Sequence, residues 1–164
     1  MWPPGPHQPL HADVNDAAAL LDGARHLLDF TQPVAMLAMN VLGHAGDPAH
    51  VGDHAARAVV AQLAAGLPPG SFLALADRTS SDPLHNLAAR AYNHSGATPP
   101  YHLRRPAQLT RLLDGLPLVP PGIVPIHTWR PGPNPFPPIP VPAWGGIARI
   151  PHVPGPRTGS HDRI

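Results

Sequence analysis

Apolar positions follow two periods along this chain. Leu20, Leu21, Ala24, Leu27 and Leu28 share one face at helical spacing, which predicts a helix over residues 17–30 with Asn15 or Asp16 as its N-cap. Pro33 ends that helix and admits a strand over 34–42, apolar on both faces as in a buried parallel strand. A loop over 43–46 follows, and Asp47 and Pro48 look like an N-cap with proline at N1. The helix they open runs to about residue 65, with Val51, Ala55, Ala58, Val59, Gln62 and Leu63 marking its face, and Gly66 and Pro68 stop it. Residues 71–76 form a second short buried strand, 77–82 a polar loop, 83–92 a helix, 99–105 a loop and 106–113 a short helix closed by Asp114 and Gly115. A broken strand over 119–129, a Pro-rich stretch over 131–142 and a last strand over 143–150 complete the series, and residues 11–14 read as the end of a strand before the first helix.

The order is therefore β-α-β-α-β-α-α-β-β. Alternating strands and helices predict a parallel sheet with right-handed crossovers. The closing pair of strands, joined by a loop, predicts an antiparallel hairpin at one side of that sheet.

Composition changes this picture only at the ends and in what it excludes. The 164 residues suffice for one domain, but 26 prolines and 15 glycines cluster in the first ten residues and the last third. The expected organisation is a Pro-rich, disordered start over 1–10, a packed unit over 11–150 and a loose tail over 151–164. The formal charge is +1, which gives no basic field for nucleic acid. The absence of cysteine excludes disulfides, zinc–thiolate sites and a thiol nucleophile. The first ten residues have no apolar signal-peptide region, and the apolar run over 34–42 is too short to span a bilayer, so a cytoplasmic location without membrane contact is the default.

Four residues or pairs stand out for their chemistry. His50 and His54 have the i, i+4 spacing of zinc ligands, but this weak motif in a chain of 12 histidines reads as a polar helix face, and no metal is expected. Asp13 lies at a predicted strand end and reads either as a turn aspartate or as a ligand-binding acid. Asn40 interrupts an apolar strand, where a buried amide needs a partner in a cleft or a neighbouring loop. His44 follows that strand and is a candidate acid–base group or a solvated loop histidine. Met36 and Met39 read as core filler.

The stretches QPVAMLAMNVLGHAGD (32–47), LPPGSFLALAD (67–77), LLDGLPLVPPGIVPIHTWRP (112–131) and AWGGIARI (143–150) resemble an actinobacterial S-adenosylmethionine-dependent methyltransferase family, long catalogued as a domain of unknown function. The resemblance covers about residues 11–150 and corresponds to the C-terminal part of that family. It implies an α/β fold: a partial class I, Rossmann-like methyltransferase sheet that lacks its first strands and ends in an antiparallel β-hairpin. It also implies S-adenosyl-L-methionine over the carboxyl ends of the strands. Carried over by position, Asp13 and its neighbour Val14 match the adenine-side acid, and Asn40 and Val41 match the end of the strand that borders the cofactor. Similar sequences carry histidine where this chain has Gly43, with His44 one step away, and Arg104 matches a family arginine before the penultimate helix.

Nothing before Asp13 resembles the first strand, its Gly-rich cofactor loop or the second-strand acid. Methyl transfer depends on positioning, worth about 7–11 kcal/mol, and each lost hydrogen bond to a charged ligand removes about 1.5–3 kcal/mol. The resemblance thus implies a methyltransferase-type chain that is truncated and silent alone. The alternative is a non-enzymatic interaction module using an exposed strand edge or the Pro-rich loop. On either reading the strand that opens at Val34 and closes at Leu42 presents a bare edge, so a homodimer or a complementary chain is the expected partner.

Overall fold

The computed structural model describes residues 8–46, 53–133, 136 and 139–152. Its elements are α1 (Ala17–Arg25), β1 (Ala35–Met39), α2 (His54–Gly66), β2 (Phe72–Arg78), α3 (Pro83–His94), α4 (Pro106–Leu112), β3 (Val124–Pro125) and β4 (Ala143–Arg149), with 3-10 turns at Leu42–His44 and Ile126–Thr128.

The four strands form one open sheet in the order β1-β2-β4-β3. β1 and β2 run parallel, with Ala35 opposite Phe72 and Met39 opposite Ala76. β4 inserts antiparallel between β2 and β3, pairing Phe72 with Arg149 and Val124 with Gly145. The antiparallel close predicted from the sequence is present. Two glycines make it possible. A Cβ at Gly145 would lie 2.6 Å from the Leu75 carbonyl oxygen, and one at Gly146 would lie 2.5 Å from that of Gly122, so only glycine lets these backbones meet.

Helices cover one face of the sheet. Leu73 and Leu75 of β2, Ala38 of β1 and Ala148 of β4 join Leu21 of α1, Val59 and Leu63 of α2, and Leu109 of α4 in one buried cluster. α1 starts where the Asp16 carboxylate accepts the Ala19 N–H at 2.9 Å, satisfying one of the free amides of the first turn. It meets α2 closely at Gly66, where Leu21 occupies the space a side chain would need.

Several sequence expectations are corrected. Residues 11–14 form a turn and not a strand end: Asp13 accepts from Asn15 through its side chain and from Asp16 through its carbonyl, and among the described residues no strand pairs with it. α1 stops at Arg25, because the Asp29 side chain captures the Thr31 N–H and hydroxyl in a competing turn; Leu27 and Leu28 are left exposed. The strand over 34–42 shortens to five residues and is buried on one face only. Leu37 is 66% exposed, Met39 45% and Phe72 on β2, opposite Ala35, 41%, because α1, α2 and α4 all pack on the opposite face. Met39 is therefore not core filler, whereas Met36 packs against the core. The buried face of α2 is Ala56, Val59, Val60, Leu63 and Ala64, and Ala58 and Gln62 point outward, since the helix is gripped from two sides by α1 and α4. β2 extends through Asp77 and Arg78, which the sequence assigns to a loop. The broken strand over 119–129 reduces to β3 and an isolated bridge from Leu118 to Ala148. Asp47, Pro48, His50 and Val51, residues 1–7 of the start expected to be disordered and the tail from 153 lie outside the described residues.

Candidate active site

The parallel strands β1 and β2 end side by side, and the chain leaves both at the same rim. In open α/β sheets the crevice beyond the carboxyl ends of the strands is where ligands sit. β1 leaves the sheet through Asn40, whose φ of 54° lies in the left-handed region, which asparagine tolerates better than most residues. Its N–H donates to the Ala76 carbonyl at 2.8 Å, and its side chain is exposed, so the buried amide expected at this position is not found.

The 3-10 turn at Leu42–His44 is fixed by the segment 100–104. The His102 N–H donates to the Gly43 carbonyl at 2.8 Å. Arg104, 5% exposed, donates from Nη1 to the Leu42 carbonyl, from Nη2 to the Ala45 carbonyl at 3.0 Å and from Nε to Asp53 Oδ1 at 2.9 Å. Gln108 Nε2 donates to the other Asp53 oxygen at 3.0 Å. Arg104, carried over above without a role, is thus the pin of the loop that follows β1.

Gly43 is buried under the Tyr101 ring, and a Cβ there would lie 2.1 Å from Tyr101 Cε2. The histidine that similar sequences place here has no room; His44, the next residue, lines the cavity instead. Its Nδ1 lies 3.0 Å from the Pro100 carbonyl oxygen. A carbonyl only accepts, so Nδ1 carries the proton and Nε2 is the basic atom of the neutral ring. The ring meets Tyr101 edge-on at 4.9 Å and Tyr92 at 6.0 Å.

Asp77, at the end of β2, is 2% exposed. Its Oδ1 accepts from the Tyr101 hydroxyl and from the Arg78 N–H, while Oδ2 is enclosed without a hydrogen-bond partner. Burial pushes the Asp77 carboxyl up; the Tyr101 hydroxyl opposes this most, then the Arg78 and Gly43 amides and the Arg104 charge. Burial, then the hydrogen bond to Asp77 and its charge, push the Tyr101 hydroxyl well above its ordinary value of 10.0. Asn93 on α3 holds the Tyr101 backbone from both sides, accepting its N–H at 2.8 Å and donating to its carbonyl at 3.0 Å.

These groups surround a cavity of about 390 Å³ lined by Asn40, His44, Arg78, His85, Tyr92 and Tyr101. α3 forms its outer wall. No residue of α3 is buried, so the helix is a partition and not part of the core. The cavity lies in the size range of small-molecule sites, about 300–1,000 Å³.

Of the residues carried over from the sequence, Asn40 lines this cavity and Val41, beside it, packs into the core. Asp13 is exposed, with Oδ1 accepting the Asn15 N–H at 2.9 Å. Asn15 in turn accepts the Gly46 N–H at 2.8 Å. That bond ties the segment holding Asp13 and Val14 to the loop after β1 at Gly46. Asp77, Arg78, His85, Tyr92 and Tyr101 were not picked out from the sequence. Asp77 alone carried a signal, as the first acid after an apolar strand. Among the described residues no group of three or more His, Cys, Asp or Glu could hold a metal, and no helix is long and apolar enough to cross a membrane.

Comparison with known proteins converges on one family. The family described as S-adenosyl methyltransferase matches residues 2–151. A solved structure of a DUF574-family protein from Streptomyces avermitilis aligns with a TM-score of 0.69 and 31% identity, over 87% of this chain and 54% of its own. A candidate methyltransferase from Thermobifida fusca aligns with the same TM-score and 26% identity, over 86% of this chain and 53% of its own. No curated protein matches the chain. The chain thus spans about half the length of the structures it resembles. Its open sheet with an antiparallel close is part of the class I methyltransferase sheet, and the chain belongs to the S-adenosyl methyltransferase family.

Proposed function

We propose that this chain carries the acceptor side of an S-adenosylmethionine-dependent methyl-transfer site, and that it grips the cofactor too weakly to catalyse transfer alone. The observation that carries the first half is the His44 geometry: a ring fixed in one tautomer by the Pro100 carbonyl, lining a cavity at the ends of β1 and β2. When bound, the cofactor supplies an electrophilic methyl group on a sulfonium. The chain's own residues enclose the acceptor between α3 and the rim and take its proton on His44 Nε2.

The second half follows from which cofactor groups the described residues suit. Asp13 has a solvent-facing carboxylate in the turn that Asn15 ties to the loop after β1, and suits the adenine edge and ribose side. The methionine part needs an open glycine turn with free amides. Gly43 is the glycine that follows a parallel strand here, and Tyr101 fills its open side. Without such a cradle several charged hydrogen bonds are missing, each worth about 1.5–3 kcal/mol.

Titration of isotope-labelled chain with S-adenosylmethionine, followed by amide chemical shifts, tests both halves. The expected result is weak binding, around millimolar, with shifts confined to Asp13, Val14, Asn40, Val41 and their neighbours. Micromolar affinity overturns the weak grip. Shifts elsewhere, or none at saturating cofactor, overturn the placement.

A second reading is favoured by the uncovered sheet face. Leu37, Met39 and Phe72 are exposed together beside the edge strand β1. Bare apolar edges of this kind pair with other chains. On this reading the chain is an interaction module that docks a second copy or a complementary chain there.

A further inference from the structure

We propose that the cavity behind α3 takes a small aromatic acid as its acceptor: one or two rings bearing a carboxylate and a hydroxyl. This deepens the methyl-transfer reading above and rests on it for the reaction, though not for binding.

Three observations point to this class. The first is charge. The wall contains the Arg78 guanidinium and the His44 and His85 imidazoles, and no carboxylate. Asp77 and Asp82, to either side of Arg78 in the chain, do not line it. Asp77 accepts from Tyr101 and the Arg78 N–H, and Asp82 caps α3 by accepting the Leu84 and His85 N–H groups. Among the described residues the Arg78 guanidinium has neither an ion pair nor a side-chain hydrogen bond. A cationic ligand therefore meets no counter-charge here, and an anion meets a free guanidinium suited to a carboxylate.

The second is shape. Tyr92, Tyr101 and His44 present rings that stand 63° and 67° from one another across the His44 plane. Ala88, Ala89 and Leu103 add an apolar wall. A volume of about 390 Å³ is at the small end of ligand sites, which suits one or two rings and excludes a folded macromolecular segment. Ligand rings pack edge-on or offset against such side chains.

The third is unfilled hydrogen-bonding capacity. His85 Nδ1 is enclosed without a partner, and with the proton on Nδ1 toward the Pro100 carbonyl the Nε2 of His44 is the ring's acceptor. A buried polar atom such as His85 Nδ1 is ordinarily satisfied, and a ligand hydroxyl satisfies it. With the carboxylate at Arg78, the hydroxyl reaches the histidine side. Its proton passes to His44 Nε2 as the new C–O bond forms and the S–C bond breaks. The electron pair of that bond returns to sulfur, leaving a neutral thioether, an O-methyl ether and an imidazolium.

The test is equilibrium binding of three matched probes to the full 164-residue chain, read by calorimetry and amide shifts: 4-hydroxybenzoate, neutral 4-hydroxybenzamide and cationic 4-hydroxybenzamidine. The expected order is anion first, by roughly tenfold over the neutral probe, from one charge-assisted hydrogen-bonded contact, with shifts at His44, His85 and Tyr101. Arg78→Met should bring the anion and the neutral probe to parity, and Arg78→Lys should keep most of the preference. Equal binding of all three, a preference for the cation, or no binding by a folded sample overturns the proposal. Preferred binding of 4-hydroxybenzoate with no amide shifts on adding S-adenosylmethionine at saturating concentration leaves the ligand class standing and removes the methyl-transfer reading. Cofactor shifts at Asp13, Val14, Asn40 and Val41 with equal binding of the three probes do the reverse.

Discussion

Replacing Arg104 by methionine removes the pin of the loop after β1 while roughly conserving volume. The guanidinium makes three charge-assisted hydrogen bonds: to the carbonyls of Leu42 and Ala45 and to Asp53. Loss of the first two leaves the Ala45 carbonyl without its donor, at about 1–3 kcal/mol where water does not reach, and the Leu42 carbonyl with the Ala45 N–H alone. Loss of the third leaves Asp53, whose side chain is 16% exposed, with Gln108 as its remaining side-chain donor. Breaking a buried pair from one side costs about 3–5 kcal/mol, and partial access of water to Asp53 keeps the total from exceeding that range. Urea denaturation followed by circular dichroism should show Arg104→Met destabilised by about 3–5 kcal/mol, a large share of the 5–15 kcal/mol typical of a domain. The double variant Arg104→Met with Asp53→Leu should recover part of the loss, because the orphaned charge is gone. A single variant within about 1 kcal/mol of the parent, or a double variant for which the two losses simply add, would refute the reasoning.

Three further outcomes test the site and the exposed face. Tyr101 should stay protonated in the fold above pH 10, since burial and Asp77 raise its hydroxyl. The native state then holds a proton that the unfolded chain releases, so this group's contribution to stability is full below about pH 10 and falls as pH rises beyond it. The 295 nm absorbance difference between the parent and Tyr101→Phe should appear only above that pH, and a difference at pH 9 would contradict it. Gly43→Val should force the Tyr101 ring off the loop, at a cost of about 1–3 kcal/mol for overpacking, and should abolish the high-pH behaviour of Tyr101; an unchanged alkaline titration would show that the ring does not depend on Gly43. Leu37→Lys should lower any self-association seen by sedimentation without lowering stability by more than about 0.5 kcal/mol, because the side chain is 66% exposed; association unaffected by the charge would place the contact elsewhere.

Local signals identified most elements. Asp16, one of the two N-cap candidates, caps α1, and the apolar runs over 34–42 and 71–76 hold β1 and most of β2. Each depends on chemistry within a few residues of chain. Asp13, Val14, Asn40 and Val41 came from family resemblance, and Asn15 ties the first pair's turn to the loop after β1. Asn40 and His44 were legible as cavity residues and the rest of the lining was not. Tyr101 lies in a loop with no period, and it acquires a position only because Asn93, Gly43 and Asp77 converge on it from three separate elements. Arg104 was noticed by position, but its partners are 51 to 62 residues away.

From residue 15 onward the sequence by itself determined the main element types, their order and the antiparallel close, because periodicity, caps and helix-stopping residues act over short stretches of chain. It also excluded thiol chemistry and a broad basic surface, because composition alone decides those. Only the tertiary structure decided which face of each strand is buried. The helices stack on one side of the sheet, so Leu73 is core while Leu37 and Phe72 are exposed, although all three are apolar. Only the tertiary structure made a site, too. Burial gives Asp77 its raised carboxyl, a distant carbonyl fixes the tautomer of His44, and a glycine 58 positions before Tyr101 gives that ring its place.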